Sequence, residues 1–161
     1  MSARSGIGYD SHRFAAGRRL VLGGVEVPGA ERGLTGHSDA DALTHAVIDA
    51  LLGAAGLGDI GLHFADTDER WCGADSIALL GEVCGLLGDH GWVVLNVDST
   101  VICEEPKLAP HRDAMRARLA EAIGIAPLEV NVKFTTNEGM GFLGRGEGVA
   151  ALASATVVPS G

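Results

Sequence analysis

Asp10 and His12 lie two residues apart in the segment Ile7, Gly8, Tyr9, Asp10, Ser11, His12. If that segment is extended, both side chains project from one face, because side chains alternate along a strand. A carboxylate and an imidazole so placed make part of a metal site, and a third ligand must come from elsewhere. His45 is the best candidate. It sits on an amphipathic, helix-like stretch, off the stripe formed by Leu43, Ala46, Val47, Ala50, Leu51 and Ala54. One carboxylate and two imidazoles suit zinc, and three protein ligands leave a fourth tetrahedral position for water or substrate, as in a catalytic centre. A lone histidine on a polar helix face is usually just solvated, so the reading leans on the short-range Asp10 and His12 pair. Asp41 and Asp49, one turn either side of His45, are placed to accept the second ring N–H and fix its tautomer.

The elements that must position these residues are read from periodicity. Ser38 is placed to cap the His45 helix, with Asp41 three residues on, and Gly53 and Gly56 crowd the helix end. Residues 4–10 read as a strand, and 20–22 with 25–27, joined by Gly23 and Gly24, as a hairpin. A second helix is expected over 75–89 with Ile77, Leu80, Cys84 and Leu87 inward, followed by a β-forming run from Trp92 to Cys103 that Pro106 breaks. A third helix over about 110–123 ends at Gly124, and Val130 to Thr136 reads as a strand. After a Gly-rich loop over 137–148, Val149 to Val158 is best read as a strand, its alanines making helix the alternative. Helices grouped between pieces of a mixed sheet imply an α/β (α+β) two-layer sandwich with helices on one face, the other face being covered by partner chains or loops.

At 161 residues the chain fits one domain, residues 1–161. Twelve Lys and Arg against 21 Asp and Glu give a net charge of -9, which argues against nucleic acid or an anionic membrane as partner. Cys72, Cys84 and Cys103 are odd in number and show no CxxC spacing, as expected of reduced cytosolic thiols. With no N-terminal hydrophobic run and no apolar stretch of membrane length, a soluble cytoplasmic protein is expected. Two motifs are declined. Gly139, Gly141 and Gly144 fit GxGxxG after a strand, but no helix is expected to open there, so no pyrophosphate site follows. Asp66, Thr67 and Asp68 begin like a calcium loop, but Arg70 and Trp71 occupy positions that need an oxygen ligand and a glycine.

The remaining polar clusters suit a phosphorylated substrate. His37 and Ser38 are read at a helix N-terminus, where free N–H groups and the helix dipole favour anions. Asp59 with Gly61, and Asp66 with Asp68, place carboxylates in loops that could hold sugar hydroxyls, solvated loop acids being the plainer alternative. Lys133 to Glu138 ends a strand with two hydroxyls, an amide and a carboxylate, able to donate to phosphate and hold a hard cation, and Arg145 adds charge nearby.

From about Gly6 to Val157 the chain resembles the 2-C-methyl-D-erythritol 2,4-cyclodiphosphate synthases of the non-mevalonate isoprenoid pathway. The strings that carry the resemblance are GYDSHRF, LGGVEVP, GHSDADALTHAVIDALLGAAGLGDIGLHFADTD, PKLAPH and NVKFTTNEGMGFLGRGEGVAA, in that order. The resemblance implies a phosphorus–oxygen lyase working as a homotrimer, with active sites between neighbouring subunits. It implies zinc on Asp10, His12 and His45, and a magnesium or manganese ion at the substrate diphosphate with Glu138 as protein ligand. His37 and Thr136 take transition-state roles. Substrate contacts fall on Asp10, His12, His37, Ser38, Asp59, Gly61, Phe64, Asp66, Asp68, Cys103, Pro106, Lys107, Leu108, Ala109, Thr135, Thr136, Asn137, Glu138, Phe142 and Arg145. The implied reaction closes 4-diphosphocytidyl-2-C-methyl-D-erythritol 2-phosphate onto itself and expels CMP. Phe134, Asn137 and the pair Glu104 and Glu105 depart from the usual family residues around the cytidine half. Two other readings remain open: a non-catalytic trimer binding an isoprenoid diphosphate in its three-fold channel, near Arg145 and Glu147, and a metal-dependent phosphohydrolase.

Overall fold

Two glycines in the first strand decide how the layers meet. The computed structural model describes residues 2–161, and its first strand, β1 (Arg4–Ala16), turns Gly6, Gly8, Asp10 and His12 toward the helical layer. Directly above lies α1 (Ala42–Ala55). A Cβ on Gly6 would stand 2.1 Å from the Ala50 carbonyl oxygen, and one on Gly8 would stand 1.9 Å from that of Ala46. Only glycine lets the helix backbone come so close. The sequence reading ended this strand at residue 10; it runs six residues further and so carries both Asp10 and His12.

A short hairpin of β2 (Val21–Leu22) and β3 (Val25–Glu26) stands apart, and β4 (Arg32–Leu34) pairs with the end of β1. A single turn, α2 (Ile60–His63), and a loop lead to α3 (Ser76–Asp89), then β5 (Trp92–Ile102), α4 (Arg112–Ile123), β6 (Val130–Thr135), a second single turn α5 (Gly141–Gly144) and β7 (Gly148–Pro159). The main sheet has the order β4-β1-β7-β5-β6, with β5 and β6 parallel and the other pairs antiparallel. It is the mixed sheet expected, with α1 on its centre and α3 and α4 beside it. Val97, Ser99 and Val101 of β5 face the helices with Ala151, Ala153 and Ala155 of β7. The opposite sheet face leaves Ile7, Tyr9 and Leu152 exposed. No helix is long and apolar enough to cross a membrane among the described residues.

Three local expectations are corrected. Ser38 does not cap the first helix; its hydroxyl accepts from the Ala40 N–H, and Ala40 turns the chain with φ of 58°. The cap is Asp41. Its carboxylate accepts from Thr44 N at 2.9 Å and Thr44 Oγ1 at 2.8 Å, and from Gly23 N at 2.8 Å and Gly24 N at 2.7 Å, tying the helix to the hairpin. Burial pushes the Asp41 pKa up, and these donors oppose it. Second, α1 is not amphipathic. All its residues but His45, Asp49 and Gly53 are buried, because it lies between the sheet and α3. Third, a turn of helix does open at Gly141, inside the glycine-rich loop. It is too short for a phosphate cradle, and Gly144 packs against the Gly139 backbone. On α3 the inward residues are Leu79, Leu80, Val83 and Leu87, while Ile77 and Cys84 are half-buried.

Two outcomes follow. Gly8→Ala is expected to cost about 1–3 kcal/mol by forcing α1 off the sheet, and to release metal because His45 precedes the displaced Ala46; thermal unfolding and elemental analysis read both. Asp41→Asn puts amide hydrogens against N–H donors and is expected to cost about 1–3 kcal/mol; an unchanged melting temperature would refute the role given to Asp41.

Candidate metal centre and active site

The close seat of α1 on β1 brings three side chains to one point. Asp10 Oδ2 lies 2.8 Å from His12 Nε2 and 3.1 Å from His45 Nδ1. Ligand atoms of all three fall within 4.8 Å of one another. Tetrahedral ligands about 2.0–2.1 Å from an ion stand roughly 3.3 Å apart, so the trio has nearly the spacing of a filled site. Side-chain exposures of 26% for Asp10, 18% for His12 and 12% for His45 leave one open side.

The ring of His12 shows what the trio is for. Its Nδ1 donates to the Thr35 carbonyl at 2.9 Å, so Nε2 carries the lone pair. That buried Nε2 has no hydrogen-bond partner among the described residues, since its lone pair faces an acceptor, Asp10 Oδ2, at 2.8 Å. A buried, unpartnered nitrogen beside a carboxylate and a second imidazole fits a metal ion. Burial raises the Asp10 pKa, but the two imidazoles of His12 and His45 beside it outweigh that and bring the group to about 2. For His12, burial acts to lower the pKa, and the Asp10 carboxylate beside it raises it above the ordinary 6.5.

The expected partners of His45 are elsewhere. Asp41 is taken up by its four donors, and Asp49 accepts from Ile60 N at 2.7 Å. His45 Nε2 instead meets Ser76 Oγ at 2.7 Å and Ser38 Oγ at 3.2 Å. Ser76 and Asp39, which bonds to it, were not singled out in the sequence. Asp39 lies within the string that begins GHSDAD, whereas Ser76 is distant in sequence and carries no local signal.

Asp10, His12 and His45 open onto a cavity of about 420 Å³ that His37, Ser38, Gly61, Phe64 and Asp66 also line, with Trp71 as its aromatic wall. His37 and Ser38 belong to a turn and not to a helix N-terminus, since α1 starts at Ala42. The His37 ring is fixed by donation from Nε2 to the Asp68 carbonyl at 3.0 Å, leaving Nδ1 for a ligand. Two of the loop acids have other contacts. Asp59 caps α2 through Leu62 N at 2.9 Å, and the Asp68 carboxylate is held below the usual carboxylate range by its bonds to Arg70.

The other sequence-derived residues form a second group that takes no part in that cavity. Cys103, Pro106, Lys107, Leu108 and Ala109 follow β5, and Thr135, Thr136, Asn137 and Glu138 end and follow β6. The two stretches are joined by Cys103 N to Thr135 O at 3.0 Å and by Asn137 N to the Glu104 carboxylate at 2.8 Å. Glu104, a departure in the sequence, thus shapes the loop. Burial pushes the Cys103 thiol up to about 11, so it serves as a wall and not as a nucleophile. Glu138 holds φ of 52°, a conformation unusual for a side-chain-bearing residue. Phe142 lies with Ser11 and Glu147 in a small pocket, and Arg145 Nε donates to Glu147 at 2.9 Å.

Fold and site together define a class: small mixed α/β domains that hold an open carboxylate and bis-imidazole site between first strand and first helix. The chain belongs to the YgbB family, whose model matches residues 3–158. It is 56% identical over 154 residues to 2-C-methyl-D-erythritol 2,4-cyclodiphosphate synthase of Alkaliphilus metalliredigens, covering 96% of each chain. It is 61% identical to the bifunctional enzyme IspD/IspF of Anaeromyxobacter dehalogenans and spans 39% of that longer protein. Among solved structures, the bifunctional IspDF of Campylobacter jejuni superposes with a TM-score of 0.93 at 40% identity, over 97% of this chain and 42% of that one. A CDP-bound 2C-methyl-D-erythritol-2,4-cyclodiphosphate synthase gives 0.87 at 39% identity, over 96% of this chain and 100% of that one.

Because protons compete with metal for His12, and its raised pKa makes them compete sooner, apparent zinc affinity is expected to weaken as pH falls, starting above 6.5. Chelator competition across pH measures it. His45→Ala should remove the metal while the fold persists; zinc retained in that folded variant would sink the site assignment.

Proposed function

We propose that the chain converts 4-diphosphocytidyl-2-C-methyl-D-erythritol 2-phosphate to 2-C-methyl-D-erythritol 2,4-cyclodiphosphate and CMP. The observation that carries this is the convergence of Asp10, His12 and His45 on one open point, in a chain so similar to named synthases. An oxygen of the 2-phosphate attacks the β-phosphorus, the bond from that phosphorus to the CMP oxygen breaks, and CMP leaves. The nucleophile is already an anion, so positioning and charge neutralisation do most of the catalysis. Zinc held by Asp10, His12 and His45, and magnesium or manganese with Glu138, supply Lewis-acid polarisation of the phosphates when bound.

The chain's own residues do the rest. His37 presents Nδ1 to the cavity from a ring braced by Asp68. Thr136 Oγ1 accepts from Glu138 N at 3.2 Å, and its hydroxyl proton is left for a phosphate oxygen. Ser38, Gly61, Phe64 and Asp66 enclose the erythritol half; Asp59 and Asp68 act through the backbone turns they hold. Cys103, Pro106, Lys107, Leu108, Ala109, Thr135 and Asn137 receive the cytidine half, with Phe142 and Arg145 at its border, a reading supported by the CDP-bound relative. The two groups of residues line different surfaces of one chain, which supports a homotrimer that completes each site between neighbours. The exposed Ile7, Tyr9 and Leu152 face is then its inner surface, apolar enough to meet an isoprenoid diphosphate.

Phosphorus NMR of the protein with the diphosphocytidyl substrate should show a cyclic diphosphate growing with CMP. A persisting 2-phosphate monoester would indicate a hydrolase, and no turnover a binding protein. Glu138→Gln should slow CMP release strongly and leave zinc in place. His12→Ala/His45→Ala and Thr136→Ala/Glu138→Ala chains, each dead, should regain activity when unfolded and reassembled together; mixed trimers without activity would place each site within one chain.

A further inference from the structure

The ring of His45 is held from behind by a chain of two more groups. Ser76, the first residue of α3, is fully buried, and its Oγ lies 2.7 Å from His45 Nε2. A hydroxyl has one proton to give, and here it is committed: Ser76 Oγ donates to Asp39 Oδ1 in a short hydrogen bond. The same carboxylate accepts from Ser76 N at 3.0 Å and Asp41 N at 3.1 Å, so Asp39 is pinned between the loop and the start of α3. Two backbone bonds, Asp39 N to Ala74 O at 3.1 Å and Gly73 N to His37 O at 2.8 Å, stitch the segments together. With its proton directed to Asp39, Ser76 can only accept from His45, so Nε2 carries the ring proton. In the neutral ring the lone pair is then on Nδ1, 3.1 Å from Asp10 Oδ2, where a cation would sit between the two acceptors. Ser38 Oγ, 3.2 Å from Nε2, is a second oxygen beside the same N–H.

We propose that Asp39 and Ser76 are positioning residues that lock His45 in its Nε2–H tautomer, with Nδ1 directed at the metal, and thereby set zinc affinity. Neither is a catalytic residue, since neither reaches the cavity. The proposal rests on the metal reading above. Outer partners of metal-binding histidines contribute about 10–100-fold in affinity, and Ser76→Ala removes this one while leaving all three ligands.

The test uses the full chain stripped of metal. Nitrogen NMR of histidine-labelled wild-type protein distinguishes the two ring tautomers; His45 is expected as Nε2–H and His12, bonded to Thr35, as Nδ1–H. In Ser76→Ala the His45 signals should move toward a mixture of tautomers while those of His12 stay. Zinc affinity, by chelator competition, should fall about 10–100-fold in Ser76→Ala. A fall of less than fivefold, or a wild-type His45 found as Nδ1–H, overturns the lock. The wild-type spectrum decides even if Ser76→Ala does not fold. Failure of wild-type protein to bind zinc at all would instead refute the metal reading.

Discussion

The contact on which the rest depends is backbone against backbone: two carbonyls of α1 resting over Gly6 and Gly8. Asp10 and His12 on a strand and His45 on a helix meet within hydrogen-bonding distance, closer than layers held a full side chain apart would allow. Removing the side chains beneath Ala46 and Ala50 lowers the helix enough for His45 Nδ1 to reach Asp10. The alanines of β7 continue the same shallow floor. Small residues in this core thus serve the site as much as the packing.

Two carboxylates, Asp41 buried and Asp39 half-buried, then divide the work of holding the helix in place. Asp41 takes four donors and locks the start of α1 to the hairpin, while Asp39 faces the other way and reaches α3. Between them Ala40 takes a left-handed turn that sends the two side chains apart. A buried carboxylate left short of donors would be costly; here each is met from two elements, so satisfying the charge and assembling the tertiary structure are the same event.

Much of this was legible in the sequence, because period and spacing report geometry directly. The alternation at Asp10 and His12 gave the shared face, and helical spacing gave α3 and α4 nearly to the residue. The glycine pair of the hairpin and Gly124 marked turns that glycine alone makes easily. What stayed hidden was set by tertiary contact. His45 looked like a polar-face residue because α1 was read as a surface helix; burial by α3 on its far side cannot be seen in a single helix's pattern. Ser76 lies 31 residues from His45, and nothing local marks a serine at a helix start as anything but ordinary. The Ser38 cap failed for a similar reason: two acceptors in one short loop competed, and the hairpin amides decided in favour of Asp41. The residues after β5 come from resemblance and those after β6 from their polar chemistry, and their joining by Glu104 could not be read from the residue's charge.

A helix buried along all its length but His45, Asp49 and Gly53 also limits which substitutions the chain accepts. Almost any replacement in α1 must answer to the sheet, to α3 or to the Asp10, His12 and His45 cluster, so the variants it can accept there are few and small. The outer side of α4 carries Arg, Asp and Glu residues in water, where substitutions typically shift stability by no more than about 0.5 kcal/mol. Replacements are therefore expected to be borne most easily at the rim of the domain and felt most in the central helix.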